Sequence, residues 1–381
     1  MTIAWFEKLL GKENISDEII DLEVYSTDAS KIKGKTDKVV WITNAQQAHQ
    51  LVLYARRNKK SIVPRGAGTS LVGSTVPFDS IVLDFSKMNK IEQIGKDYIT
   101  VEPGVICDDV NKLLKDKFFP IIPEDSSVCT IGGMCGVNSS SIYQKRFGKM
   151  KDWVIEVEMI DGHGRLKKYG PEILGTEGTI GIITKIKLRI TDKIHEKSVD
   201  LLKFDKIQQL IEKLSQLNNN NEAIAIEYIS KHAASLIGLE ENNYLIVEYM
   251  SFEGHIKDQI DIERIENVRR SIFSKIAMQE YIYREDPFIP IENMAEFLYW
   301  LESKAIPSFG PIGISIIHPC FKERDSEELN EVVKKLNGHF GEKFGIGVLK
   351  KDTLSEMKKY EFGKLKEEFD PFKILNNGKL I

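Results

Sequence analysis

The chain has 381 residues, long enough for two domains, because a single apolar core stops growing near ~250–300 residues. A hydrophobic share of 42% and a charged share of 29% describe a globular chain, and a net charge of -4 gives no electrostatic case for a nucleic-acid partner. No apolar run approaches the ~20 residues that span a bilayer, and the opening MTIAWFEKLLGKEN lacks the basic head and apolar core of a signal peptide. A cytoplasmic location is expected, with peripheral association at a membrane left open. The cysteines at 107, 129, 135 and 320 form no C-x-x-C pair, so they are expected to be reduced and structural rather than ligands of zinc or an iron–sulfur cluster.

Val39 to Ile42 reads as a strand, followed by a helix capped by Thr43 or Asn44 with Ala45, Ala48, Leu51, Val52 and Ala55 on one face. Short strands are expected near 61–63, 81–85, 90–94 and 98–102. Between the first two lies Pro64 to Gly73, PRGAGTSLVG. Three glycines with Ser and Thr on a tight strand-to-strand connection expose successive N–H groups, a nest suited to phosphate or pyrophosphate. The glycines are spaced G-x-G-x-x-x-x-G and a strand follows, so this is not the Rossmann fingerprint, and the Gly-Lys-Ser/Thr of a Walker loop is absent. An ordinary glycine-rich turn is the alternative.

A further helix begins after Cys107, with Asp108 and Asp109 at its N-terminus and Val110, Leu113 and Leu114 facing inward. In PEDSSVCTIGGMCGVNS (123–139), Thr130 can cap a helix whose first turn holds Gly132 and Gly133. Free amides and a positive dipole end would then await an anion; tight packing on a neighbouring element is the competing explanation. Two amide clusters in one domain suit two linked phosphates. Strands are expected at Trp153–Asp161, Leu166–Tyr169 and Ile180–Ile190, with Asp161-Gly162-His163-Gly164 as a hairpin turn and His163 a plain loop histidine.

From about 195, strands at 198–204, 223–229, 244–250, 277–283 and 312–317 alternate with helices at 206–217, 255–274, 291–303 and 325–337. This pattern predicts an antiparallel sheet covered by helices. Asp258–Arg270 and Lys364–Glu368 read as solvated charged faces. A last helix, Thr353–Glu368, leads into FDPFKILNNGKLI, expected to return to the first domain. Two side chains stand out. His318 ends an apolar run and is either a base or a satisfied structural histidine. Arg284, in YRED, either grips a carboxylate in bidentate fashion or answers Glu285 and Asp286 at the surface.

Taken in order, PRGAGTSLVG, VEPGV (101–105), PEDSSVCTIGGMCGVN (123–138), DWVIEVEMIDGHG (152–164) and GTEGTIGIIT (175–184) resemble FAD-linked oxidases of the vanillyl-alcohol oxidase, PCMH-type family, in its glycolate oxidase and D-lactate dehydrogenase branch. The resemblance runs from about 38 to 191, resumes at EDPFIPIENMAEFL (285–298), and returns at FDPFKILNNGKLI (369–381), where Asn377 stands in place of the family's proline. It implies an α+β chain: a PCMH-type FAD-binding domain of two α/β subdomains over 1–193, an antiparallel-sheet α+β cap or substrate domain over 194–350, and a helix and tail over 351–381 returning to the first domain. It further implies that the amides of Arg65, Gly66, Ala67, Gly68, Thr69 and Ser70 wrap the FAD pyrophosphate, with Thr130, Gly132 and Gly133 on its other side. Asn138 would lie near the flavin or ribityl chain, Ile182 would meet the adenosine end through its backbone, and Asn376 would approach the isoalloxazine. Some relatives attach FAD through a histidine in the first loop; residues 66–70 contain none, so non-covalent FAD is expected.

Relatives of this branch carry G-H-x-G-D-G-N-x-H and G-E-H-G-I-G, whose histidines and glutamate hold a divalent metal and supply a base. Here Gly310-Pro311-Ile312-Gly313-Ile314-Ser315-Ile316-Ile317-His318 keeps only the last histidine. In Glu342-Lys343-Phe344-Gly345-Ile346-Gly347, Lys343 and Phe344 replace the glutamate and the base, and a one-residue slip restores Glu342 without a histidine. No metal is therefore expected, and His318 is the candidate proton acceptor with Arg284 as the carboxylate partner. The expected function is an FAD-dependent oxidoreductase taking a hydride from a hydroxy acid or related alcohol, glycolate- or D-lactate-like. Its electrons would pass to an acceptor other than NAD, such as a quinone, a carrier protein, oxygen or a partner subunit. A flavin-bearing, non-catalytic or electron-relay subunit of a larger dehydrogenase is the alternative, and homo- or hetero-oligomers remain open.

Overall fold

The computed structural model describes residues 3–251, 253–324, 327–341 and 343–380; Glu342 and Ile381, both part of the motifs weighed above, lie outside the described residues. The chain divides into two units. One comprises Met1–Ser141, Lys149–Asp192 and Lys343–Ile381, the other Ile142–Gly148 and Lys193–Glu342.

The first unit holds two main sheets. Strands β1 (Ile15–Ser16), β2 (Lys35–Trp41), β3 (Ser61–Arg65) and β4 (Phe78–Asp84) form one, in the order β1-β2-β4-β3. β2, β4 and β3 run parallel, and β1 is antiparallel to β2. Their apolar centres, Val39-Val40, Ile62-Val63 and Ile81-Val82-Leu83, are buried, as a parallel sheet requires. The helix Ala45–Asn58 is capped by the Asn44 side chain, which accepts from the Gln47 amide, and it sets Ala48, Leu51, Val52 and Ala55 into the core. Ala45, expected on that face, is only half-buried. Because β3 and β4 are parallel neighbours, the glycine-rich segment between them is not a tight turn. It is a crossover loop over residues 66–77, which must carry the chain back along the strands.

The second sheet of this unit is antiparallel, built from β5 (Ile91–Ile94), β6 (Tyr98–Val101), β8 (Val154–Asp161), β9 (Leu166–Tyr169) and β10 (Gly181–Arg189) in the order β5-β6-β10-β8-β9; β7 (Lys117–Phe118) pairs separately with β11 (Thr191–Asp192). Trp153 closes a short helix, Met150–Trp153, so β8 starts one residue later than expected. In the helix Cys107–Leu113, Val110 is buried while Leu113 is exposed; the helix ends there and Leu114 takes the inward position. All four cysteines are free and buried. After the helix Glu356–Phe369 the tail runs beside β3, with the Ile62 amide donating to Ile374 O at 2.8 Å and the Asn376 amide to Ile62 O at 2.8 Å. Lys366 Nζ secures it by donating to Thr179 O, Leu375 O and the Asp370 carboxylate.

The second unit is a six-stranded antiparallel sheet of β12 (Ser198–Phe204), β13 (Ala223–Ile229), β14 (Asn243–Tyr249), β15 (Tyr283–Arg284), β16 (Ser308–Gly310) and β17 (His318–Phe321), ordered β12-β14-β13-β16-β17-β15. Alternate residues of β14 face two cores. Leu245, Val247 and Tyr249 meet the helices Ile207–Asn218 and Met294–Ser303, and Tyr244 and Ile246 meet Lys231–Ile237 and Gln259–Ala277. The expected strand at 312–317 is absent. Pro311 has no amide for the ladder, Ile312–Ile314 form a 3-10 turn, and Ser315 adopts a left-handed φ of 65, so His318 opens a strand rather than ending one. The expected strand at 277–283 shrinks to Tyr283–Arg284 because the preceding helix runs on to Ala277.

The segment Ile142–Gly148 brings Tyr143 to a buried ion cluster of this sheet. The Tyr143 hydroxyl donates to Glu248 Oε1 at 2.8 Å, Lys197 Nζ reaches the same oxygen at 2.5 Å, and Arg269 Nη1 donates to Oε2 at 2.9 Å while its Nε lies 3.1 Å from Glu227. Burial alone would raise Glu248, but Arg269 and Lys197 outweigh it and hold its carboxyl below the ordinary range. A depressed carboxyl contributes stability above its unfolded value, near ~4.3, and loses it as pH falls through the folded value. The urea midpoint of this unit should therefore drop below about pH 4. At neutral pH, Arg269→Met should cost about 3–5 kcal/mol, because it strands a buried carboxylate. A loss under about 1 kcal/mol would mean the cluster is solvated, as at exposed pairs.

Candidate cofactor site

The loop leaves β3 at Arg65, whose carbonyl accepts from the Phe85 amide at 3.0 Å and ends the ladder. Beyond it, the amides of Gly66, Ala67, Gly68, Thr69, Ser70 and Leu71 find no acceptor among the described residues, and these six residues are half-buried or exposed. A run of unclaimed N–H groups is a concentration of positive dipole in search of an anion. The run is held from behind. Ser70 Oγ accepts from the Val72 and Ser74 amides at 3.3 and 3.1 Å, so its hydroxyl is committed to the loop. Gly68 has φ +69, and a Cβ there would lie 2.3 Å from Arg65 Nη2. That guanidinium folds under the loop, donates to Thr27 O at 2.7 Å and lies over the Tyr25 ring at 5.1 Å. Burial pulls Arg65 down, with Asp28, Tyr25 and Asp84 pulling back, and it stays a cation beneath the nest.

The second glycine cluster touches the first. A Cβ on Gly66 would lie 2.2 Å from Thr130 Oγ1. Thr130 caps the helix Ile131–Val137 by accepting from the Gly133 amide at 3.1 Å. The free amides expected of Gly132 and Gly133 are not there, however. The Ile131 amide donates to Val105 O and the Gly132 amide to Pro103 O, each at 2.8 Å, so the VEPGV segment claims two first-turn donors and Thr130 the third. Gly132 is a packing glycine, since a Cβ would lie 2.6 Å from Pro103 Cβ.

Asn138 ends this helix at a left-handed φ of 50, and its Oδ1 accepts from the Lys151 amide at 2.9 Å, capping the next short helix. Ile182 sits in β10 opposite Ile160 with its side chain in the core; β6 flanks β10 only from Ile186 onward. Asn376 is buried in the tail, donating Nδ2 to Ser74 O at 2.9 Å and to Glu177 O at 2.6 Å. Its Oδ1 is buried without a hydrogen-bond partner among the described residues. The structure thus gathers Arg65 to Ser70, Thr130 and Asn376 in one unit, with Glu177 bonded to Asn376 and, through Ser74, to Ser70. Sequence reasoning passed over Glu177, although a charged residue amid the glycines of GTEGTIG is the signal that could have marked it. Six unclaimed amides, a cation behind them, a glycine with no room for Cβ and an unpartnered buried amide oxygen fit a diphosphate-bearing dinucleotide.

The candidate catalytic pair lies in the other unit. His318 is buried, its Nδ1 2.9 Å from Glu285 O and its ring edge-on to Phe309 at 5.5 Å. Arg284 pairs across the ladder with Cys320, and its Cζ lies 4.5 Å from the Phe273 ring and 5.7 Å from Phe309. His318 and Cys320 share one face of β17, so the pairing places Arg284 on that face too. Among the described residues no group of three or more His, Cys, Asp or Glu side chains gathers as a metal site. Lys343, which replaces the metal-binding glutamate of the family motif, pairs instead with Glu124 in the first unit.

Residues 36–170 match the family model described as an FAD binding domain. Among curated proteins the chain is similar to the glycolate oxidase subunit GlcD of Bacillus subtilis (27% identity, covering 97% of this chain and 94% of that protein). It is also similar to the D-lactate dehydrogenase of Archaeoglobus fulgidus (24%, 90% and 91%) and the mitochondrial D-2-hydroxyglutarate dehydrogenase of Arabidopsis thaliana (22%, 100% and 81%). Among solved structures, an alkyldihydroxyacetonephosphate synthase superposes with a TM-score of 0.71 at 15% identity over 98% of this chain and 84% of that one, a likeness of fold. The expected α+β architecture and the FAD cofactor are thereby borne out.

Gly66→Ala should weaken FAD by roughly 100-fold in a fluorescence titration of the apoprotein, because the new methyl meets Thr130 Oγ1. Placing the same change in a Thr130→Ala background removes that hydroxyl and should recover part of the loss, at a capping cost of about 1 kcal/mol to the helix. Equal affinities in the two backgrounds would dissociate Gly66 from Thr130.

Proposed function

Residues 36–170 belong to the FAD binding domain family, and from that premise we propose that the protein is an FAD-dependent oxidoreductase acting on the CH–OH group of a small 2-hydroxy acid, with D-lactate, glycolate and D-2-hydroxyglutarate as the model substrates. The single observation that carries the cofactor half is the run of six unclaimed amides meeting Thr130. The substrate half is supported by curated relatives that bear the names of hydroxy-acid oxidases and dehydrogenases along nearly the whole chain. On this reading the first unit holds FAD and the second supplies the substrate residues.

The amides of Gly66 to Leu71 bind the diphosphate, and Arg65 compensates its charge from below. Asn376 Oδ1 offers an acceptor to the remainder of the cofactor. When bound, FAD supplies the acceptor for the hydride equivalent leaving the substrate carbon. Arg284 holds the substrate carboxylate. His318, with Nδ1 donating to Glu285 O, keeps Nε2 as its basic nitrogen, and that atom takes the hydroxyl proton without help from a metal. Loop positions 66–70 carry no histidine, so FAD is held non-covalently. Electrons pass to an acceptor other than NAD: a quinone, a carrier protein, oxygen or a partner subunit. A cytoplasmic setting belongs to the same reading; no helix among the described residues is long and apolar enough to cross a membrane.

Purified protein should be yellow, with bands near ~370 and ~450 nm, the pattern of a bound flavin. Acid precipitation should leave that colour in the supernatant. Under anaerobic conditions a D-2-hydroxy acid should bleach the ~450 nm band, and His318→Asn should slow the bleaching by roughly 100-fold or more with the oxidised spectrum unchanged. If no hydroxy acid, sugar acid or alcohol bleaches the flavin, the oxidoreductase reading fails.

A further inference from the structure

We propose that Glu177 is a positioning residue for the cofactor, latching the amide nest through Ser74 so that the loop is held in its binding shape before the ligand arrives. The inference rests on the FAD reading above and concerns a residue that none of the motif roles covers.

Glu177 is buried and stands at a left-handed φ of 50, a conformation uncommon outside glycine. Its backbone is clamped on both sides: the amide donates to Gly136 O at 2.8 Å, and the carbonyl accepts from Asn376 Nδ2 at 2.6 Å. The carboxylate takes three further donors. Oε1 accepts from the Ile346 amide at 2.6 Å, and Oε2 accepts from the Gly347 amide at 2.9 Å and from Ser74 Oγ at 2.6 Å. Two segments far apart in sequence, 346–347 and the one holding Ser74, therefore converge on one side chain, and the tail holds its carbonyl.

A buried carboxylate is expensive, and core packing alone does not call for one. What distinguishes this one is where its third donor leads. Ser74 Oγ is itself 3.1 Å from Ser70 Oγ, and the Ser74 amide donates to that same Ser70 oxygen. Ser70 belongs to the run of unclaimed amides, so the nest is two hydrogen bonds from Glu177. On the far side, the Ser74 carbonyl is held by Asn376. The loop has no apolar core of its own between Gly66 and Leu71. Its shape is set by this chain and by Arg65, and a nest that must be ordered on binding pays for it in affinity.

The test compares FAD dissociation constants and apoprotein melting temperatures for wild type, Ser74→Ala, Ser74→Thr and Glu177→Gln. Ser74→Ala removes one hydroxyl and leaves Glu177 its two amides. It should raise the FAD dissociation constant about 10-fold, the worth of one hydrogen bond to a charged group, with the apoprotein melting temperature within about 2 °C of wild type. Ser74→Thr restores the hydroxyl and should return the constant to within about 3-fold of wild type. Glu177→Gln should weaken FAD at least as much as Ser74→Ala. Wild-type protein that binds FAD while Ser74→Ala and Glu177→Gln bind equally well overturns this inference alone. So does a parallel fall in melting temperature and affinity that Ser74→Thr fails to reverse, since that marks a purely structural role. Wild-type protein that refuses FAD overturns the cofactor reading and this one with it.

Discussion

A carboxylate taken out of water must be repaid by hydrogen bonds, and around Glu177 that requirement ties together the crossover loop, the 346–347 segment and the C-terminal tail of the first unit. Its partners are an amide pair at 346–347, a serine of the crossover loop and, through its carbonyl, an asparagine of the C-terminal tail. Burial pushes Glu177 upward, while the two amides, the Ser74 hydroxyl and the Lys379 ammonium draw it back. Lys379 is pulled in turn, by burial, down to about 8 against the attraction of Asp28 and Glu177. Hydrogen bonds from Ser74, Ile346, Gly347 and Asn376 to Glu177 join the crossover loop, the glycine turn and the tail in one polar network, with the Lys379 charge beside it.

The two glycine clusters illustrate how similar sequences acquire opposite chemistry. Both are small-residue stretches rich in main-chain donors. At 131–133 the donors are spent on Pro103 and Val105 carbonyls and on Thr130, and the glycine at 132 exists so that the helix can lie against Pro103. At 66–71 no carbonyl among the described residues accepts from these amides, and the donors remain available. The distinction lies wholly in what the neighbouring chain offers, since glycine supplies closeness in both cases and an acceptor in neither.

In the second unit, the polar groups divide by the same rule. Glu248, Arg269, Lys197 and Tyr143 satisfy one another and tie a short excursion of the chain to the sheet. His318 and Arg284 are set differently, each against aromatic rings on one face, with the imidazole oriented by a backbone carbonyl. A ring held by a carbonyl at Nδ1 has a fixed tautomer. Lys343 brings its own carboxylate partner, Glu124.

The sequence by itself determined the alternation of strands and helices, a cap at Thr43 or Asn44 and another at Thr130, the antiparallel second half and the existence of two amide-rich stretches, because those features depend on residues within a few positions of each other. It misjudged 312–317, where a run of isoleucines looks like a strand but a proline without an amide and a left-handed serine break the ladder. Whether β3 and β4 run parallel, which amides keep their hydrogens free, and that Glu177 gathers Ser74, Ile346, Gly347 and Asn376 were decided only by tertiary structure. Hydrogen-bond partners separated by more than a hundred residues leave no trace in local pattern, and a donor is available or spent according to the carbonyl that folding brings beside it.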